Sequence, residues 1–218
     1  MTTFDLVLAT RSTLHPGGEP SDFVSAYDGV LKATDGEGVE TTAGWVTAQK
    51  VHAALAADHG EDLFDVCDAH SHDLHVLHIL LYEPGGYGFR PAVVRRFEAV
   101  DWDLLVLDYV LLDPKWRGLK LGLLAVRKVV DLLGGGCGLV VSEVAPLRRQ
   151  ASKSLGVPPA WLPANRTKEA KREAVTKLRR HFRRMGFERL GRTPFYALST
   201  SLETPTAADL LNPGLGAG

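Results

Sequence analysis

The chain has 218 residues, about half again the length of an average single domain, so one domain with additions is expected rather than two compact ones. With 45% apolar residues, 23% charged residues and a formal net charge of -1, it has the composition of a globular protein with a sizeable core, which excludes a disordered or fibrous chain. No stretch approaches the roughly 18 consecutive apolar residues of a membrane span, and Met1 to Leu8 carry no Lys or Arg ahead of a short apolar run, so the sequence reads as untargeted and cytoplasmic.

The first third reads as short strands separated by turn residues. Phe4–Thr10 and Phe23–Lys32 flank Pro16-Gly17-Gly18, and a third strand over 40–50 follows Asp35-Gly36-Glu37-Gly38. Residues 51–97 change to a helical character. Val51–Ala57 is Ala-rich, His59-Gly60 breaks it, and Ser71 is a credible N-cap for a helix carrying Leu74, Leu77 and Leu81 at helical spacing. A strand over His75–Tyr82 is the alternative, because a short apolar run does not settle its own period. Asp68, His70, His72, Asp73, His75 and His78 do not follow the spacing of a metallohydrolase motif, so these histidines read as solvated or capping and no metal is expected.

From Asp103 the sequence becomes strand, helix, strand. Leu104–Leu112 is nearly continuously apolar, as in a strand covered on both faces. Leu119, Leu123, Val126, Val130 and Leu133 then recur at helical spacing, with Arg127, Lys128 and Asp131 on the opposite side. Gly134-Gly135-Gly136 ends that helix and Leu139–Val144 is the next buried strand. Ala145–Arg166, with Pro146, Pro158-Pro159 and Pro163, reads as a long loop. A basic helix follows over 167–185, closed by Gly186, then strands over Phe187–Leu190 and Phe195–Thr200, and a tail from Glu203 expected to fray.

Two further features bear on partners and redox state. Residues 1–144, 145–192 and 193–218 carry -10, +11 and -2, so the basic block over 166–185 can take an anionic partner such as nucleic acid, or dock on the acidic remainder of its own chain. Cys67 and Cys137 are too few for a disulfide framework and read as reduced and structural.

The segment Leu111-Leu112-Asp113-Pro114-Lys115-Trp116-Arg117-Gly118-Leu119-Lys120-Leu121-Gly122 joins a buried strand to a helix start. Such a junction gathers unpaired N–H groups and the positive helix end at one point, which suits an anion and a diphosphate in particular. It resembles the acetyl-CoA-binding motif of the GNAT superfamily of N-acetyltransferases, with Leu112, Pro114, Trp116, Arg117 and Gly122 in place and order. The segment His181-Phe182-Arg183-Arg184-Met185-Gly186-Phe187 is similar to a later element of that family, and the resemblance covers about 103–200. Lys120 departs from it where a loop glycine is usual, Phe182 where many members carry an acid Tyr, and Val106 where a Glu is expected.

The resemblance implies an α/β (α+β) domain over 1–200 with a GNAT-like mixed twisted sheet, helices on both faces and a splay between the strands ending near Leu112 and Val144. It divides into N-terminal strands (1–50), a helical segment (51–97) on the acceptor side and a CoA-binding core (103–200), with a flexible tail over 201–218. It further implies acetyl-CoA as co-substrate, bound by Val110, Leu111, Leu112, Arg117, Gly118, Leu119, Lys120, Leu121 and Gly122, and transfer of the acyl group to a primary amine of a small molecule or peptide. Asp108, in an otherwise apolar strand, is the candidate base, since burial raises a carboxyl pKa toward a useful value; pairing with a neighbouring Arg or backbone group is the alternative. Tyr196 is the candidate acid, or else a core Tyr with a satisfied hydroxyl. The rival reading is a catalytically degenerate GNAT-like binding protein that uses the basic helix.

Overall fold

The computed structural model describes residues 1–11, 19–145, 158–162 and 167–211, and within them the fold is α+β. Seven strands form one mixed sheet: β1 (Thr3–Thr10), β2 (Val24–Thr34), β3 (Glu40–Val51), β4 (Asp103–Leu112), β5 (Cys137–Glu143), β6 (Glu188–Arg189) and β7 (Phe195–Ser199), in the order β1-β2-β3-β4-β5-β7-β6. Only the β4–β5 pair is parallel. The β2–β3 hairpin closes where Asp35 Oδ1 accepts from the N–H groups of Glu37 (2.9 Å) and Val39 (3.0 Å), a side chain standing in for a backbone turn partner.

Four helices separate β3 from β4: α1 (Ala53–His59), α2 (Leu63–His70), α3 (His72–Leu81) and α4 (Pro91–Phe97). The residues open to a strand reading are helical, with Tyr82 in a lone bridge to Phe89. Local chemistry selects the helix. Ser71 Oγ accepts from Leu74 N–H at 3.2 Å, and spacing of three and four puts Leu74, Leu77 and Leu81 into the core together. His78 lies with them, 5% exposed and stacked on Tyr82, so it is a core residue and not a solvated or capping one.

The helices divide between the two faces of the sheet. Ala56, Val66, Leu77 and Phe97 from α1–α4 pack on Leu104 and Val106 of β4 and Leu139 and Val141 of β5. The other face carries α5 (Leu121–Leu133) and α6 (Lys168–Arg183), through Leu123, Val126, Leu178 and Phe182, over Leu105, Leu107 and Val140. β4 is thus continuously apolar from Leu104 to Leu107 because both faces are covered there. Each fully buried Leu or Val there contributes roughly 1.5–3 kcal/mol. No helix among the described residues is long and apolar enough to cross a membrane.

Two expectations need correction. Leu119 is 52% exposed and precedes α5, whose buried face is Leu121, Leu123, Ala125, Val126 and Val129; Lys120, with φ at 60°, turns the chain before the helix begins. The tail is the other, and Arg127 helps to hold it: Arg127 pairs with Asp131 at 2.6 Å and donates to Thr204 and Pro205. Residues 203–211 are docked and end in α7 (Ala207–Leu211), where Leu210 is 2% exposed. The turn at Pro16–Gly18, most of the 145–166 loop and residues 212–218 lie outside the described residues.

β3 and β4 approach closely at Gly44, where a Cβ would stand 2.5 Å from the Leu111 carbonyl oxygen. That oxygen is backbone and cannot swing aside. Gly44→Ala is therefore expected to lower stability by about 1–3 kcal/mol, read as a lower denaturant midpoint with an unchanged slope.

Candidate functional site

One irregularity in β4 sets the geometry of the site. Thr47 pairs with Tyr109 and Ala48 with Leu107, which leaves Asp108 as the extra residue of a β-bulge. A bulge bends its strand and re-aims the local side chains. Before it Leu105 and Leu107 face α5; after it Val110 and Leu112 do. Pairing of β4 with β5 ends just before this point, at Val106–Val141, although β4 continues to Leu112 and β5 to Glu143. The edge of β4 from Leu107 to Leu112 has no β5 partner, so the two strands part around the bulge.

Asp108 lies at this parting. Both of its carboxylate oxygens accept from Gln49 Nε2, at 3.1 and 3.0 Å. Gln49 is paired with Val106, and directly paired side chains share a face, so the carboxylate lies toward the α1–α4 side. It keeps an open surface, yet protein atoms crowd it from the sheet side and take away part of its water. That desolvation pushes its pKa from 3.8 up to about 6, against the Gln49 hydrogen bond and with the Asp73 charge of α3.

The junction beyond β4 has the expected character with different use of its charges. Asp113 Oδ1 caps the turn Pro114–Trp116 by accepting from Lys115 N–H at 2.9 Å. Gly118 (φ 85°) and Lys120 (φ 60°) then bend the chain into α5. The N–H groups of Gly118, Leu119 and Lys120 have no hydrogen-bond partner among the described residues, while Leu121 and Gly122 form the first turn of α5. Arg117 turns back: its Nε and Nη2 donate to Leu112 O at 3.1 and 2.9 Å, and Nη2 also reaches Trp161 O. Lys120 Nζ donates to Leu211 O at the end of α7. Both cations are engaged by carbonyls, and Arg117 stays exposed to solvent while it is so held.

His181 belongs to this junction and was not singled out from the sequence. A Cβ on Gly122 would lie 3.5 Å from His181 Nε2, so α6 sets an imidazole against the start of α5. Burial, and then the Arg184 charge, hold its pKa below the usual histidine value. The signal was present, since position 181 is three residues after Leu178 on the inward stripe of α6.

Tyr196 is 1% exposed within the α5–α6 cluster, and its Oη has no hydrogen-bond partner among the described residues. It lies on the face opposite the Asp108 carboxylate, so the two are not brought together. Phe182 packs edge-on against Phe187, with ring centroids 5.1 Å apart, and offers no proton. Cys67 and Cys137 are free and buried, and burial raises their pKa to about 12 and about 11, which leaves the thiols unreactive. Among the described residues there is no group of three or more His, Cys, Asp or Glu suited to a metal. A recess of about 540 Å³ is an open depression between Glu83, Arg90 and Arg95, and Asp108 does not line it.

Comparison with protein-family models, curated proteins and solved structures finds no match to this chain.

The Asp108 environment predicts its titration. The carboxyl carbon of Asp108 should titrate with a midpoint near 6 by NMR. Gln49→Leu removes the hydrogen bond that favours the charged form, so the midpoint should move higher. Because the folded pKa exceeds the unfolded one, ionising Asp108 destabilises the fold. Stability attributable to this group should fall as pH rises from about 4 to about 6 and be flat above, and Asp108→Asn should abolish that slope.

Proposed function

We propose that this chain is an acyltransferase that moves the acetyl group of acetyl-CoA to a primary amine, with the parting of β4 and β5 as the acyl end of the site and the Gly118–Gly122 turn as the phosphate end. One observation carries the reading: a carboxylate with raised pKa sits at a bulge where parallel pairing stops, on the strand that leads, through a turn with three N–H groups unpartnered among the described residues, into a 13-residue helix. Those groups fit a diphosphate, and the edge of β4 at Val110 and Leu111, beyond the last β5 pair among the described residues, fits an extended amide-bearing chain that adds to a strand. When bound, acetyl-CoA supplies the activated acyl group as a thioester.

The chain's own residues have separable tasks. Asp108, largely ionised at pH 7, accepts the proton that an amine sheds as it turns nucleophilic, directly or through a water. Gln49 holds that carboxylate with both oxygens engaged. The turn N–H groups and the start of α5 take negative charge. Arg117 and Lys120 brace the turn through Leu112, Trp161 and Leu211, and supply positive potential from behind it. The GNAT resemblance of residues 103–200 supports the same assignment.

A second reading rests on α6. None of its residues is fully buried, it carries seven Lys or Arg against two Glu, and one ion pair, Lys177–Glu173, is formed within it. A binding module for an acidic partner would display such a helix.

Two measurements separate these readings. Acetyl-CoA at a hundredfold excess over Kd should stabilise the fold by about 2.7 kcal/mol in a thermal melt. Asp108→Asn should retain that shift while acyl transfer to an accepted amine falls by roughly 10²- to 10⁴-fold. The reading fails if millimolar acetyl-CoA leaves the melt unmoved, or if the variant turns over at the wild-type rate. Nucleic acid bound with a steep salt slope that Arg179→Glu and Arg183→Glu flatten would instead support the binding module.

A further inference from the structure

At the opposite end of β4 three residues far apart in sequence meet. Ser25 lies in β2, His52 follows the last residue of β3, and Asp103 is the first residue of β4. Ser25 Oγ is 2.8 Å from His52 Nε2, and His52 Nδ1 is 3.7 Å from Asp103 Oδ2. The tautomer that suits both contacts carries its proton on Nδ1, facing the carboxylate, and leaves Nε2 to accept from the serine hydroxyl. A nucleophile bonded to a base that is itself oriented by a carboxylate is the arrangement by which serine hydroxyls are activated.

Each member is positioned by backbone that the fold already fixes. His52 N–H donates to Phe23 O and His52 O accepts from Ala56 N–H, both at 2.9 Å. Asp103 Oδ1 accepts from Ala54 N–H at 3.1 Å, while Lys50 Nζ, held by Gly135 O at 2.7 Å, stands 3.9 Å from Oδ2. Burial acts to raise the Asp103 pKa, but the bonds from His52 and Ala54 and the His52 and Lys50 charges outweigh it and keep it below the usual carboxylate value. The carboxylate is 14% exposed and the imidazole 25%, which shelters the acid and leaves the base within reach of solvent.

We propose that Ser25, His52 and Asp103 form a second acyl-transfer centre, with Ser25 as nucleophile toward small activated esters and Asp103 as the residue that positions and charge-balances His52. Ser25 Oγ attacks the ester carbonyl and passes its proton to His52 Nε2. The bond to the aryloxide breaks, the leaving group takes that proton, and an acyl-serine remains. Water then adds with its proton going to Nε2, the acyl–oxygen bond to Ser25 breaks, and the carboxylic acid leaves as Ser25 recovers its hydrogen. An aryloxide leaves without strong help at the carbonyl oxygen, which is why aryl esters are the class assigned. Asp108 is about 17 Å away at a strand rise of ~3.3 Å per residue, so this centre is independent of the acetyl-CoA reading.

The test uses the full chain with a fluorophosphonate probe and with 4-nitrophenyl acetate. The probe should label the Ser25 peptide, and the ester should give a burst of nitrophenolate; Ser25→Ala should lose both. His52→Gln should slow labelling about 10²- to 10³-fold, and Asp103→Asn should slow it with partial rescue in Asp103→Glu. Ser25→Cys adds a readout that survives a weak ester reaction, because its thiol should alkylate with iodoacetamide faster than in a His52→Gln background. The proposal is overturned if wild-type protein labels no faster than Ser25→Ala, or if His52→Gln, folded by circular dichroism, labels at the wild-type rate or leaves the Ser25→Cys alkylation rate unchanged.

Discussion

A single unpaired residue in the central strand organises this molecule. The ladder between β3 and β4 steps past Asp108, and the strand must bend there to keep pairing with Val46 and Trp45 beyond it. β5, joined to β4 as far as Val106, does not follow the bend. The two strands share one core for their first halves and separate in their second. Everything proposed at the acyl site depends on that separation: an unpaired backbone edge, a polar side chain brought to an otherwise apolar strand, and a helix start at the far end of the same edge.

The packing around the opening shows how the fold tolerates it. An exposed strand edge with a row of unmet backbone groups invites wrong pairing. Here Trp45 meets Trp161 at 4.5 Å between ring centroids, and Arg117 ties Trp161 to the end of β4. Lys120 similarly ties α7 to the start of α5. The two cations fasten these segments through charge-assisted bonds to carbonyls, made at an exposed surface. They also place positive charge beside the turn whose N–H groups have no partner among the described residues.

Asp103 and Asp108 show how one strand holds two carboxylates in opposite states. Both lose water to their surroundings, and in both that loss is the largest influence, acting to raise the pKa. Asp103 has His52, Lys50 and the Ala54 N–H around it, and these overcome the loss. Asp108 has a neutral amide and two further carboxylates, Asp73 and Asp28, as neighbours, and they do not. At Asp103 the partners outweigh the lost water, and at Asp108 the lost water outweighs the partners.

The sequence by itself determined the elements and their faces. Continuous apolar residues from Leu104 made β4 a doubly covered strand, Ser71 and the spacing of Leu74, Leu77 and Leu81 made α3, and the Pro114–Gly122 segment was legible as a strand-to-helix junction, because hydrophobic period and capping chemistry are local properties. Asp108 stood out for the same reason, as one charge in an apolar run. Tertiary structure alone decided the bulge, since an alternating pattern carries no mark of the residue at which two strands slip. It also set Tyr196 and Asp108 on opposite faces, docked residues 203–211 through Arg127 and Lys120, and brought Ser25, His52 and Asp103 together. Those are contacts between segments tens of residues apart, and their partners are selected by the packing of the whole chain.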